Sequence, residues 1–257
     1  MGMKKISVVL NTYNAELHLE RVLNSVAGFD EVVVCDMEST DGTVEIARRC
    51  GCRVVTFPKG EHKICEPARD FAIHSASNDW VLVVDADELV PDTLRDYLYD
   101  RISSGAFDGA LAVPRINLFM GEEFEERSDY QIRFFRKDRT MWPATIHSHP
   151  IIDGRIEKIP KRRSLSLIHL DNPTISERLS KLNRYTDYDM ERRCGKKYGS
   201  CKMLFRPLWF FFRSLFLRGG IRHGRKGIVQ AYMDSIYQMI LMAKITERRL
   251  EQDGRDR

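Results

Sequence analysis
The amino-acid sequence predicts an α/β fold: a mostly parallel central sheet flanked by helices, followed by a helical C-terminal extension. Two observations carry this. Short apolar runs recur through residues 1–90 with helix-like segments between them, and beyond residue 173 the pattern turns to long helical periodicity. Strands that alternate with helices run parallel, because each crossover helix packs back onto a sheet face. A chain of 257 residues, 43% hydrophobic and 30% charged, has the apolar material for one large domain and an appendage, as in an ordinary soluble protein.

Residues 6–10 are an apolar strand interrupted only by Ser7, and 32–35, 54–57 and 80–84 are the next three strands. Between them, 16–26 places Leu19, Val22, Leu23 and Val26 on one helical face. Residues 43–50 and 67–76 fill the other gaps as helices, the first capped by Thr40 or Asp41, whose short side-chain oxygen would satisfy a free amide. Leu94, Leu98 and Ile102 give 91–102 a helical stripe that stops near Gly105. Residues 109–117, 131–135, 145–152 and 164–169 read as extended, a mixed sheet region added to the first. Thr174-Ile175-Ser176-Glu177 is a capping box that opens a helix through Cys194, with Gly195 at its end. Tyr232, Ile236, Met239, Ile240 and Ala243 stripe a final helix over 228–250, and the polar residues 252–257 read as an unstructured tail.

The net charge of +4 is unevenly spread. Nine of the 41 basic residues lie between Lys196 and Lys226 with no Asp or Glu among them, which leaves 32 against 37 acidic residues elsewhere. Six cysteines form no CxxC pair and no regular framework, and no signal peptide precedes the first strand, so a reducing cytosol is expected. No run reaches the roughly 18 apolar residues of a membrane span.

The strongest chemical signal is Asp85-Ala86-Asp87-Glu88, directly after the fourth apolar strand. Ligands of open parallel sheets bind beyond the carboxyl ends of strands, and two carboxylates one residue apart can share a hard cation such as Mg²⁺ or Mn²⁺. The competing reading is a solvated acidic turn. Other strand ends converge on the same edge: Asn11 and Tyr13 after the first strand, and Asp36, placed to accept from a nucleobase N–H or ribose hydroxyl, after the second. Arg69, early in the third helix, could pair with a diphosphate.

Residues 6–88 resemble the family-2 inverting glycosyltransferases, which have the GT-A fold. The likeness rests on Ser7 to Asn14, Asp36 to Thr43, Arg69 with Ala72, and Asp79-Trp80 through Glu88, and the later Asp129-Tyr130-Gln131-Ile132-Arg133-Phe134-Phe135 is similar to the lipopolysaccharide-core glucosyltransferase subgroup. The resemblance implies a divalent-metal-dependent transfer of a hexose from a nucleoside-diphosphate sugar, usually a UDP-sugar, to a lipid-linked or cell-envelope glycan with inversion. It implies that Asn11, Tyr13 and Asp36 hold the nucleoside, that Arg69 contacts the base or diphosphate, that Asp85 approaches the ribose or the metal's water shell, and that Asp87 ligates Mn²⁺ or Mg²⁺. It divides the chain into a GT-A domain at 1–172, with a nucleotide-sugar half at 1–90 and an acceptor half at 91–172, and a basic helical extension at 173–257. Relatives often carry His-Glu where this chain reads Ile146-His147-Ser148-His149, so the general base is drawn from Asp129, His147 and His149. Loss of that glutamate is also the one feature favouring an inactive sugar-nucleotide-binding scaffold.

Residues 203–217 read MLFRPLWFFFRSLFL, an aromatic and basic segment suited to a bilayer interface. A peripheral seat on anionic membrane through 203–226, at the cytoplasmic face, is therefore expected. The competing reading is a core helix whose arginines pair with acids of the main domain. No nucleic-acid-binding motif accompanies the basic patch.

Overall fold
The computed structural model describes residues 4–60, 65–105, 107–124, 129–144, 149–193 and 198–255. In chain order, β1 (Ile6–Thr12), α1 (Glu16–Val26), β2 (Glu31–Asp36), α2 (Thr43–Arg49), β3 (Arg53–Thr56), α3 (Glu66–Ser75) and β4 (Trp80–Asp85) form the alternating first part. Then come β5 (Glu88–Leu89), α4 (Asp92–Ser103), β6 (Gly109–Phe119), β7 (Glu122–Phe124), β8 (Tyr130–Arg136), β9 (Thr140–Met141), β10 (Ile151–Ile152), β11 (Arg155–Lys158) and β12 (Leu167–His169). Helices α5 (Ile175–Arg192), α6 (Ser200–Phe212) and α7 (Gly224–Arg255) complete the chain, a π-helical turn at Arg213–Leu217 following α6.

The chain divides into two compact units: residues 1–117 with 129–171, and 118–128 with 172–257. In the first, the sheet runs β3-β2-β1-β4-β8-β6-β12-β5, with β11 beside β6. Strands β1 to β4 pair in parallel, β8 is antiparallel to both β4 and β6, and β12 lies parallel to β6 and antiparallel to β5. The fold class is α/β, a mostly parallel sheet flanked by helices, as the sequence predicts.

Burial on both faces explains the continuous apolar runs. Val8 and Leu10 enter one core cluster with the α1 residues Leu19, Val22, Leu23 and Val26, while Val9 enters a second with Ala68, Ala72 and Ile73 of α3. Strand β4 splits the same way, Leu82 to the first cluster and Val81 and Val83 to the second. Because β1 leads to β2 on one side and has β4 on the other, its carboxyl end is a switch point of the winding, the position where open α/β sheets take their ligands.

The second unit is mainly helical. The capping box at Thr174 is formed, its hydroxyl accepting from Glu177 N at 3.2 Å while the Glu177 carboxylate accepts from Thr174 N at 2.7 Å. Lys244 on α7 bonds Asp187 of α5 at 2.5 Å, and Tyr237 donates to Asp189 at 2.9 Å. Gly220 and Gly227 touch backbone to backbone; a Cβ on Gly227 would lie 1.7 Å from the Gly220 carbonyl oxygen, so only glycine fits.

Three expectations are corrected. The N-cap of α2 is Gly42, not Thr40 or Asp41; Asp41 Oδ1 accepts from Thr43 N at 3.0 Å from one position further out. Helix α7 reaches Arg255, because helical pairing continues through the polar residues read as a tail. Of 164–169, the first residues form a 3₁₀ turn at Arg163–Leu165 and only Leu167–His169 is strand.

Candidate active site
The register of β1 against its neighbours brings the predicted residues to one edge. Asn11 lies opposite Cys35 on one side and Asp85 on the other, and Thr12 opposite Asp36. Asp36 is 2% exposed, and its carboxylate is fixed by donors: Thr12 Oγ1 at 3.0 Å, Ser39 N at 2.9 Å and Ser39 Oγ at 2.5 Å. Burial and the Asp36 charge push the Cys35 thiol up to about 12, with the Asn11 amide acting weakly the other way. Apart from that thiol, the buried nitrogen and oxygen of the Asn11 side chain have no hydrogen-bond partner among the described residues. Buried polar groups are nearly always paired, so an amide held this way suits an arriving polar ligand.

Two loops beside these strand ends hold non-glycine residues in the left-handed region, Asn14 at φ 49° and Glu38 at φ 60°. Asn14 tolerates it, and its Oδ1 accepts from Thr40 N at 2.8 Å; the Glu38 carboxylate accepts from Lys59 N at 3.1 Å. Tyr13 is exposed, with the Lys59 ammonium 4.5 Å from its ring centre.

Asp85 sits at the floor of this edge between two guanidiniums. Its Oδ1 accepts from Arg69 at 2.7 Å and its Oδ2 from Arg133 in a short contact. Burial pushes its carboxyl up, but the charges of Arg133 and Arg69 outweigh that and hold it well below the usual range. Arg69 also lies over the Trp142 ring at 5.1 Å. Glu88 is fully buried beneath, 3.4 Å from Arg133 and 3.5 Å from Arg115, and burial raises its carboxyl even against those two cations. Arg115 extends the network to Asp129, whose oxygens accept from Arg115 at 3.2 Å, Asn117 at 2.8 Å and Gln131 at 2.9 Å. Burial raises the Asp129 carboxyl, and Arg115 with these donors more than reverses it, leaving a weak proton acceptor.

Asp87 points elsewhere, toward β12. Its Oδ2 lies 3.2 Å from His169 Nε2, and Asp87, His169 and Asp171 each offer a ligand atom within 4.8 Å of the others. The antiparallel pairing of β5 with β12 makes this meeting, setting His169 opposite Glu88, and Leu170 N donates to the Asp87 carbonyl at 2.7 Å. Burial disfavours the His169 cation, but the hydrogen bond and charge of Asp87 reverse that and raise its pKa. Two carboxylates and an imidazole on adjoining backbone are a donor set that fits a divalent cation such as Mn²⁺.

The sequence reading missed His169 and Asp171. Their signal was a His-Leu-Asp triplet closing an apolar strand, the position that marked Asp85 and Asp87. Of the base candidates besides Asp129, His149 is exposed, and His147 lies outside the described residues with Ile146 and Ser148.

A doubly wound sheet with carboxylates gathered at the carboxyl ends of its strands is the α/β architecture that seats ligands at that edge. The glycosyl transferase family 2 profile matches residues 7–156, and the chain belongs to that family. Over 97% of its length it is 29% identical to an uncharacterized glycosyltransferase of Rickettsia typhi, covering 89% of that protein. It is 25% identical to the lipopolysaccharide core biosynthesis glycosyltransferase LpsC of Rhizobium meliloti, covering 95% of this chain and 92% of that one. In fold it is similar to the mannosyltransferase PcManGT of Pyrobaculum calidifontis, solved with GDP-Man and Mn²⁺, with a TM-score of 0.57, 16% identity, and coverage of 96% and 88%.

Proposed function
We propose that this glycosyltransferase moves a hexose from a UDP-sugar to a lipid-linked or cell-envelope glycan, with inversion and with dependence on a divalent cation. The observation that carries the reading is the Asp87–His169–Asp171 trio, whose Asp87 stands two residues beyond Asp85, the residue opposite Asn11 in the pairing of β1 with β4. Asp87, His169 and Asp171 would hold the ion, Mn²⁺ ahead of Mg²⁺ because one donor is nitrogen. When bound, it would supply positive charge against a departing diphosphate. Asp36 and Asn11 hold the base and ribose, and Tyr13 covers the base. Arg69, already fixed by Asp85, presents its guanidinium toward the phosphates.

In an inverting transfer the acceptor oxygen bonds to the anomeric carbon from the face opposite the diphosphate. The carbon–oxygen bond to the nucleotide breaks with its electron pair leaving on the diphosphate, and the acceptor's proton passes to a base. Asp129 is ill suited, since three donors already satisfy its carboxylate, which leaves His147 and His149 for that role. The LpsC relative supports a cell-envelope acceptor, and a lipid-linked one would place the chain peripherally at the cytoplasmic face of the membrane.

The test is calorimetry of UDP binding with and without Mn²⁺, on the parent and on Asp87→Ala. The parent is expected to bind UDP tightly only with Mn²⁺, and the variant to lose that dependence while melting normally. Equal Mn²⁺-dependent affinity in both would overturn the reading.

A further inference from the structure
The outer face of α6 is apolar and uncovered. Leu204, Phe205, Leu208, Trp209 and Phe212 are 64%, 62%, 49%, 58% and 51% exposed. At the helical repeat they fall within one arc of about 140°. The opposite side of the helix is the one that packs within its unit. Arg206 donates to Gln238 at 2.8 Å, Phe211 packs on Tyr232 at 5.1 Å, and Pro207 is buried. The π-helical turn carries the outer face onward: Phe216 stacks 6.1 Å from Phe212 at 10°, and Leu217 and Ile221 are 60% and 56% exposed. A contiguous apolar strip of this length is a contact surface rather than ordinary surface scatter.

Charge selects what covers it. Lys202 near one end and Arg222 and Arg225 beyond the other are exposed, and the sequence has no Asp or Glu between Glu191 and Asp234. A second copy laid on this face would set cations against cations. An anionic bilayer answers both features, taking the rings at the boundary of headgroups and acyl chains and the bases at the phosphates.

We infer that α6 and the turn after it lie flat in the surface of an anionic phospholipid bilayer, with Trp209 and Phe212 inserted and Lys202, Arg222 and Arg225 on the headgroups. The inference deepens the membrane seat of the proposed function and rests on that part of it alone.

Trp80 and Trp142 are only 4% and 7% exposed, so a vesicle-induced change in tryptophan emission reports Trp209. The full chain is titrated with vesicles of phosphatidylcholine alone or mixed with phosphatidylglycerol, following emission and co-sedimentation. The parent should shift to the blue and bind the mixed vesicles at least about tenfold more tightly than the neutral ones. W209S/F212S should lose about tenfold or more in vesicle affinity. K202E/R222E/R225E should lose the preference for phosphatidylglycerol. UDP binding with Mn²⁺ in the same samples should be equal in all three, so a failure of the nucleotide reading shows separately. Unchanged parent emission, or equal sedimentation of parent and W209S/F212S, would overturn the inference. So would light scattering that finds a parent dimer made monomeric by W209S/F212S, since the face would then belong to a second copy.

Discussion

Asp85 and Asp87 stand two residues apart, and their surroundings differ more than any spacing could announce. Asp85 has an arginine on each oxygen and, with Glu88, Arg115 and Asp129, belongs to a floor of alternating charges. Asp87 faces a histidine and lies within ligand range of a second carboxylate. In the floor, charge is balanced by side chains that belong to the fold itself. At the rim, two acids and an imidazole converge where a mobile ion can do the balancing. The same residue type thus meets two fixed guanidiniums at one position and an imidazole with a second carboxylate at the next.

The largest effect should come from unbalancing the floor. Arg133 is 5% exposed, and Arg133→Met leaves Glu88 and Asp85 short of their shared cation, which should cost about 3–5 kcal/mol in denaturant unfolding. Adding Glu88→Gln should recover part of that loss; a double variant as unstable as the single one would break the picture of a charge-balanced floor. At the rim the pattern inverts. His169→Asn should change unfolding stability by no more than about 1 kcal/mol, while Mn²⁺-dependent UDP affinity falls roughly tenfold to a hundredfold. A large stability loss with binding intact would move His169 from the rim to the floor.

A third carboxylate, Glu31, calibrates both. Burial raises it, but hydrogen bonds from Ser7, from Ser77 N and Oγ and from Arg53 leave its pKa lowered. A lowered folded pKa contributes stability above the unfolded value and loses it as pH falls through the folded one. Glu31→Gln should therefore be less stable than the parent by about 1–2 kcal/mol at neutral pH, and the gap should close below about pH 4. A gap that persists in acid would mean that packing, not charge, holds this site.

The alternating strands and helices were legible because each is short, apolar and locally patterned: α1 spans the predicted 16–26, and the Thr174 box needs only four adjacent residues. What the sequence hid depends on distant pairing. Glu88 reads as one more acid in an exposed-looking tetrapeptide, and only β8 and β6, which bring Arg133 and Arg115, make it a buried one. His169 was read as the end of a strand, with nothing nearby to show that β12 would run antiparallel to β5. The cap of α2 was misplaced for a local reason: Gly42 satisfies the backbone geometry itself, and Asp41 acts from outside it.

The pairing of β5 with β12 has a consequence for the newly made chain. Asp87 leaves the ribosome 82 residues ahead of His169, by which time the pieces of β1 to β4 are all present. Closing so long a stretch costs chain entropy that the ion cannot repay until both ends have met. An ion held by the proposed trio therefore could not template the early sheet. It would arrive at a finished unit, and its capture during synthesis would mark the moment when residues 167–171 fall into place.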